Sequence, residues 1–174
     1  MSSHNESFWV RRAPWVWYGL AFVVIVLDLV TKGWVDNTFV ELERVQVLPV
    51  FDITLRYNPG AAFSFLADAG GWQKWFFTII SSVVSVVIAV WISRLPKEKW
   101  MEALGLSLIL GGAIGNLYDR VTLGHVVDFI LVYYETHEFP AFNIADCGIT
   151  VGAGVLILDL FINGQNQEGD NSKS

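Results

Sequence analysis

The segment 75–92 holds no charged residue. Its length matches what an α-helix needs to cross the hydrocarbon core of a bilayer, about 17–25 residues. This feature limits the chain more than any other. Backbone N–H and C=O groups in lipid must be satisfied internally, and a lone helix does that. Three more runs share the pattern. One covers about 14–34, broken by Asp28 and Lys32. One covers 100–117, with Glu102 at its start and Asn116 at its end. The last covers 141–162, and its uncharged core, 147–158, is short enough for a buried soluble helix. Composition favours the membrane, because 53% of residues are hydrophobic and only 16% charged, against roughly 25% charged in soluble domains. The predicted fold is an all-α polytopic membrane protein with four transmembrane helices. It forms one domain over 1–165, followed by a disordered polar tail at 166–174.

Four spans put both termini on one side. Arg11, Arg12, Arg94, Lys97 and Lys99 flank spans on that side, so the positive-inside rule predicts that both termini are cytoplasmic. The first span resembles a signal peptide behind its arginines, but it is too long and no small-residue cleavage pattern follows, so it is read as retained. Trp9, Trp15, Trp17, Trp34, Trp72, Trp75, Trp91 and Trp100 lie close to span ends, as interfacial anchors do. The connection 35–71 is predicted to face outward. Its residues 45–48 and 51–57 alternate and favour strands, and Asn58-Pro59-Gly60 signals a turn. A small β-sheet is therefore expected at about 44–66 on the extracytoplasmic side. The net charge of −6 offers no basic patch for nucleic acid, and the single cysteine, Cys147, can form no internal disulfide.

Spans three and four carry the pairs Gly111/Gly115 and Gly148/Gly152, whose spacing lets helices approach closely. Such packing would bring the outer end of span three near the outer end of span four. Asp128 follows span three and Asp146 lies five residues into span four, about 7 Å along a helix. An acid near lipid is costly and points to function. Two close carboxylates that share a proton can activate water and protonate a peptide carbonyl, which is aspartic-protease chemistry.

Other readings of these residues stay open. Each aspartate could cap a helix or pair with Arg120. Asn116, Asp119 and Arg120 could share a helix face. Arg120 could neutralise Asp119, orient an aspartate or grip a substrate carbonyl. Asn143 could cap span four or bind a substrate backbone. Asp28 and Lys32 form a favourable i, i+4 pair. Cys147 with His125 or His137 permits a nucleophile reading. A metal site from His125, Asp128, His137 and Asp146 is conceivable, although no tight ligand motif exists. A transporter or proton channel could use the acids as a relay, but such sites are expected near the midplane.

Five blocks together resemble bacterial lipoprotein signal peptidase, also known as signal peptidase II. They are Asp28-Leu29-Val30-Thr31-Lys32, Asn58-Pro59-Gly60-Ala61-Ala62-Phe63-Ser64, the block from Gly111 to Asn116, Asp119 and Arg120, Gly124-His125-Val126-Val127-Asp128-Phe129, and Phe142-Asn143-Ile144-Ala145-Asp146. They occur in family order. The resemblance implies an intramembrane aspartic endopeptidase of the bacterial inner membrane. It would cleave prolipoproteins before a diacylglyceryl-modified cysteine, with no metal or organic cofactor. By motif position Asp128 and Asp146 would be catalytic. Asn58, Gly60, Asn116, Arg120 and Asn143 would bind substrate or support the pair, and Asp28, Lys32 and Asp119 would be structural or near the site. Implied partners are the lipidated precursor, membrane lipid and globomycin-type inhibitors. Phe63, Phe65, Phe129 and Phe142 are candidates to meet acyl chains, and ordinary packing is an equal reading for each.

Overall fold

A computed structural model describes residues 13–60 and 72–171, excepting the side chains of 13, 73 and 163–171. Its elements in chain order are α1 (Ala13–Thr38), β1 (Arg44–Leu48), β2 (Phe51–Asn58), α2 (Trp72–Arg94), α3 (Trp100–Thr122), β3 (Val126–Tyr134), β4 (His137–Glu138) and α4 (Ile144–Asn171). Four stretches are long and apolar enough to span a membrane: Pro14–Thr38, Lys74–Arg94, Trp100–Thr122 and Ile144–Ile162. The helices outrun the sequence-read spans by a few residues at most ends. The exception is α4, which begins at Ile144 rather than near 141. Asp146 therefore lies in the first helical turn. At its other end α4 continues to Asn171, so 166–171 are helical where polar composition suggests a disordered tail. Propagating an existing helix gains one hydrogen bond per residue without a new nucleation step.

The helix α3 is central. Its spanning window is 56% buried, against 17% for each of the other three, and its mean hydropathy is lowest at 1.3. A helix screened from lipid by its neighbours can carry Asn116 and Asp119. By contrast α1, α2 and α4 expose Phe22, Val30, Ile79, Val86, Val151 and Leu160, as lipid-facing helices do. One apolar cluster of Ala21, Ile88, Ile92, Leu106 and Leu110 ties α1, α2 and α3 together. The Tyr18 hydroxyl reinforces it by donating to the Ala89 carbonyl at 2.7 Å.

Glycines set the helix spacing, with partners that the sequence pattern does not reveal. A Cβ on Gly111 would stand 2.7 Å from the Ala21 carbonyl, and one on Gly115 would stand 2.5 Å from Asp28 Oδ2. This pair therefore packs most closely on α1, where the spacing suggests α4, and only Gly115 also reaches α4, at Ala145. The α3–α4 contact uses Gly105, Gly112, Gly148 and Gly152. A Cβ on Gly112 would come within 2.2 Å of the Ala145 carbonyl, so α4 touches α3 with its backbone.

At one end of the bundle lies an antiparallel sheet of order β1-β2-β3-β4. Two of its strands fall inside the expected 44–66 segment, whose residues 61–66 lie outside the described part. The longest strand, β3, comes from 126–134 and completes the sheet. Its residues VVDFILVYY are β-branched and aromatic, as strands prefer. Most of them are buried on both faces. A second apolar cluster of Val35, Leu55, Val127 and Phe129 joins the sheet to the bundle.

Candidate active site

Asp128 sits on β3 and is 3% exposed. Pairing of β2 with β3 sets Arg56 opposite Asp128 and Asn58 opposite Val126. Asn58 is thus the diagonal neighbour of Asp128 on the same face. Its Nδ2 donates to Asp128 Oδ2 at 3.0 Å, and its Oδ1 accepts from the Gly60 amide at 2.9 Å. Gly60 has φ +108°, and a Cβ there would strike the Phe77 ring at 2.6 Å. Only glycine suits this turn, so Gly60 acts by positioning Asn58. The rest of this motif block, 61–64, and Phe65 lie outside the described residues.

Past β4 the chain returns along β3. The amides of Phe129 and Ile130 donate to the Phe142 carbonyl, and the Phe142 amide donates to Ile130. This return delivers Asn143, which is fully buried, to the start of α4. Asn143 Oδ1 accepts from the Asp146 amide at 2.9 Å, and Asp146 Oδ2 accepts from the Asn143 amide at 3.3 Å. This is a reciprocal capping box, with Asn143 as N-cap and Asp146 at the third helical position. The other half of the same side chain faces the sheet. Asn143 Nδ2 donates to Asp128 Oδ1 at 2.7 Å. One carboxamide therefore binds the Asp128 carboxylate on one side and the Asp146 backbone amide on the other.

Asn116 of α3 closes the arrangement. Its Nδ2 donates to Asp146 Oδ1 at 2.8 Å, and its Oδ1 accepts from Asn143 Nδ2 at 3.2 Å and Lys32 Nζ at 2.9 Å. Lys32 also pairs with Asp28 at 2.7 Å and with Asp119 at 2.9 Å, both carboxylates being buried. The i, i+4 pair of Asp28 and Lys32 is present as the spacing predicts. The local Asp119–Arg120 pair is not formed, because Asp119 turns to Lys32 instead. Arg120 donates to the Asn116 carbonyl at 3.2 Å and lies over the Phe77 ring at 5.6 Å. Among the described residues its buried Nε has no hydrogen-bond partner, which leaves donor capacity beside the acids.

Burial, and next the charge of Asp146, push the Asp128 carboxyl from its ordinary 3.8 to about 7. The hydrogen bonds from Asn58 and Asn143 and the charge of Lys32 work the other way. Asp146 meets two donors at a helix N-terminus, where negative charge is favoured. The two acids thus differ in surroundings: Asp128 is buried and holds its proton, and Asp146 lies among donors.

The alternative chemistries find little support in this geometry. The His125 ring lies tilted against that of Tyr57, with centroids 4.4 Å apart, and His137 is exposed on β4. Among the described residues, no group of three or more His, Cys, Asp or Glu side chains is placed to hold a metal ion.

Fold and site together define a polytopic membrane protein that gathers two acids beneath a small sheet, at one end of its helices. A family model described as signal peptidase (SPase) II matches residues 20–162. The chain is 56% identical over 161 residues to the lipoprotein signal peptidase of Cellvibrio japonicus (strain Ueda107), covering 92% of this chain and 95% of that one. It is 51% identical to that of Pseudomonas putida over 90% of this chain and 92% of the relative. A solved chain described as "Bacterial membrane enzyme structure by the in meso method at 2.3 A resolution" superposes with a TM-score of 0.77 at 32% identity, covering 87% of this chain and 90% of its own. The chain belongs to the signal peptidase II family, and is a multi-pass membrane peptidase.

Proposed function

We propose that the chain is an aspartic endopeptidase that removes signal peptides from prolipoproteins, cutting before a diacylglyceryl-modified cysteine, with Asp128 and Asp146 as the catalytic pair. The observation that carries this reading is Asn143, whose side-chain amino group donates to the Asp128 carboxylate and whose backbone amide donates to that of Asp146. Asn143 thus ties the Asp128 carboxylate to the first turn of α4, the turn that carries Asp146. Asp146 takes a proton from water. The hydroxide adds to the scissile carbonyl, and Asp128 gives its proton to the developing oxyanion. The tetrahedral adduct then expels the amine, which takes a proton from Asp146, while the adduct's hydroxyl returns one to Asp128. The net change is one water added across the peptide bond.

Several features support the lipidated substrate. The site lies where the helices end and the sheet begins, the level at which water and acyl chains meet. Arg120 Nε, unpartnered among the described residues, can donate to a carbonyl or headgroup oxygen. Val40, Leu42, Val45 and Val47 are exposed beside the sheet and suit an acyl-rich surface. Membrane lipid and globomycin-type cyclic peptides belong to the same reading, as do cytoplasmic termini, an outward site in the bacterial inner membrane and the absence of a cofactor. The deciding assay uses a diacylglyceryl precursor and its unlipidated form, with and without globomycin. Asp128→Asn and Asp146→Asn should each fold and leave the lipidated precursor intact. Normal cleavage by either variant overturns the pair.

A further inference from the structure

Lys32 is 2% exposed and lies on α1, far in sequence from either aspartate. Its ammonium has three polar partners: ion pairs with Asp28 at 2.7 Å and Asp119 at 2.9 Å, and a hydrogen bond to Asn116 Oδ1 at 2.9 Å. The two carboxylates reach further. Asp28 Oδ1 accepts from the Ala145 amide at 2.8 Å, and Asp119 Oδ2 accepts from the Val127 amide at 3.2 Å. Ala145 immediately precedes Asp146, and Val127 immediately precedes Asp128. One ammonium thus anchors the two acids that hold the backbone just before each catalytic residue.

The third contact decides an orientation. The oxygen and nitrogen of a carboxamide are almost the same size, so their partners determine which way the group faces. An ammonium can only donate, so Lys32 requires oxygen from Asn116. The Asn116 amino group is then the one that meets Asp146. During turnover Asp146 alternates between carboxylate and acid. As an acid it can donate to an amide oxygen, so without Lys32 only the longer contact from Asn143 Nδ2, at 3.2 Å, would still call for the oxygen of Asn116 on that side. We propose that Lys32 is a positioning residue for peptide cleavage: it locks the Asn116 carboxamide so that its amino group stays on Asp146 throughout the cycle. This inference rests on the assignment of Asp128 and Asp146 as the reacting pair.

The test is steady-state cleavage of a diacylglyceryl precursor by the full chain carrying Lys32→Met, which keeps the length and removes the donor. The expected result is a fall in kcat of about 100-fold, the size of loss that misplacing a reacting group brings, with KM little changed. In an Asn116→Ala background, Lys32→Met should cost little more, because the group it positions is gone. Should Lys32→Met not fold, the charge-free variant Asp28→Asn/Lys32→Met/Asp119→Asn replaces it, since its amides still accept from Ala145 and Val127. Low kcat in this folded variant supports positioning. Full activity there, or independent losses from Lys32→Met and Asn116→Ala, overturns it in favour of charge balance alone. Either overturning result leaves the aspartate pair standing, which the Asp→Asn variants test separately.

Discussion

Single residues in this site serve two masters, and Asn143 most of all. Replacing it by alanine removes the cap of α4, a loss of about 1 kcal/mol, and also the bridge between the acids. Asn143→Ala should therefore lose far more activity than stability, which cleavage rates beside a thermal melt in detergent would show. The proton on Asp128 gives a second prediction. An unfolded aspartate ionises near 3.9, whereas Asp128 does so at about 7. As pH rises the unfolded chain sheds this proton first. The stabilising contribution is full below about 4 and is lost as pH rises through 7. Activity that needs the proton should fall over the same alkaline limb. Asn58 donates to the charged form, so Asn58→Ala should move that limb to higher pH in a kcat/KM profile. Of the site, Asp128, Asp146, Asn116 and Asn143 were legible from residue type and motif. The hub at Lys32 was not, because its links to Asn116 and Asp119 span long stretches of sequence that only tertiary packing closes.

Elements place these residues through close backbone contact. A methyl group on Gly112 would meet the Ala145 carbonyl, one residue before Asp146. Gly112→Ala should push the start of α4 away, costing about 1–3 kcal/mol as overpacking does, with cleavage sharply reduced. Gly19→Ala meets nothing within 4 Å and should leave both melting temperature and cleavage unchanged or slightly improved, since alanine favours helix. The contrast separates a packing glycine from a bystander on the same scaffold. Helix existence was legible because apolar length in lipid leaves no alternative. The strand β3 was harder to read. A short apolar run buried on both faces loses its alternation, and periodicity alone does not separate it from helix. Which glycines face which helix was equally hidden, since a Gly-x-x-x-Gly pair states its spacing and not its partner.

For the whole molecule, charge asymmetry sets the expected orientation, with Arg94, Lys97 and Lys99 at the end opposite the sheet. In a Cys147→Ala background, Gln46→Cys on β1 should react with a membrane-impermeant maleimide added outside intact cells, and Lys97→Cys should react only after lysis. The reverse pattern would invert the proposed topology. The capping box of α4 has a consequence for how such an enzyme is born. The proposed reactive centre is completed by a contact between the first turn of the last helix and a strand made earlier. A nascent chain whose final helix has not docked lacks that centre altogether. Proteolytic competence is in this sense an assembly checkpoint, and half-inserted copies would pose no hazard to the membrane proteins around them.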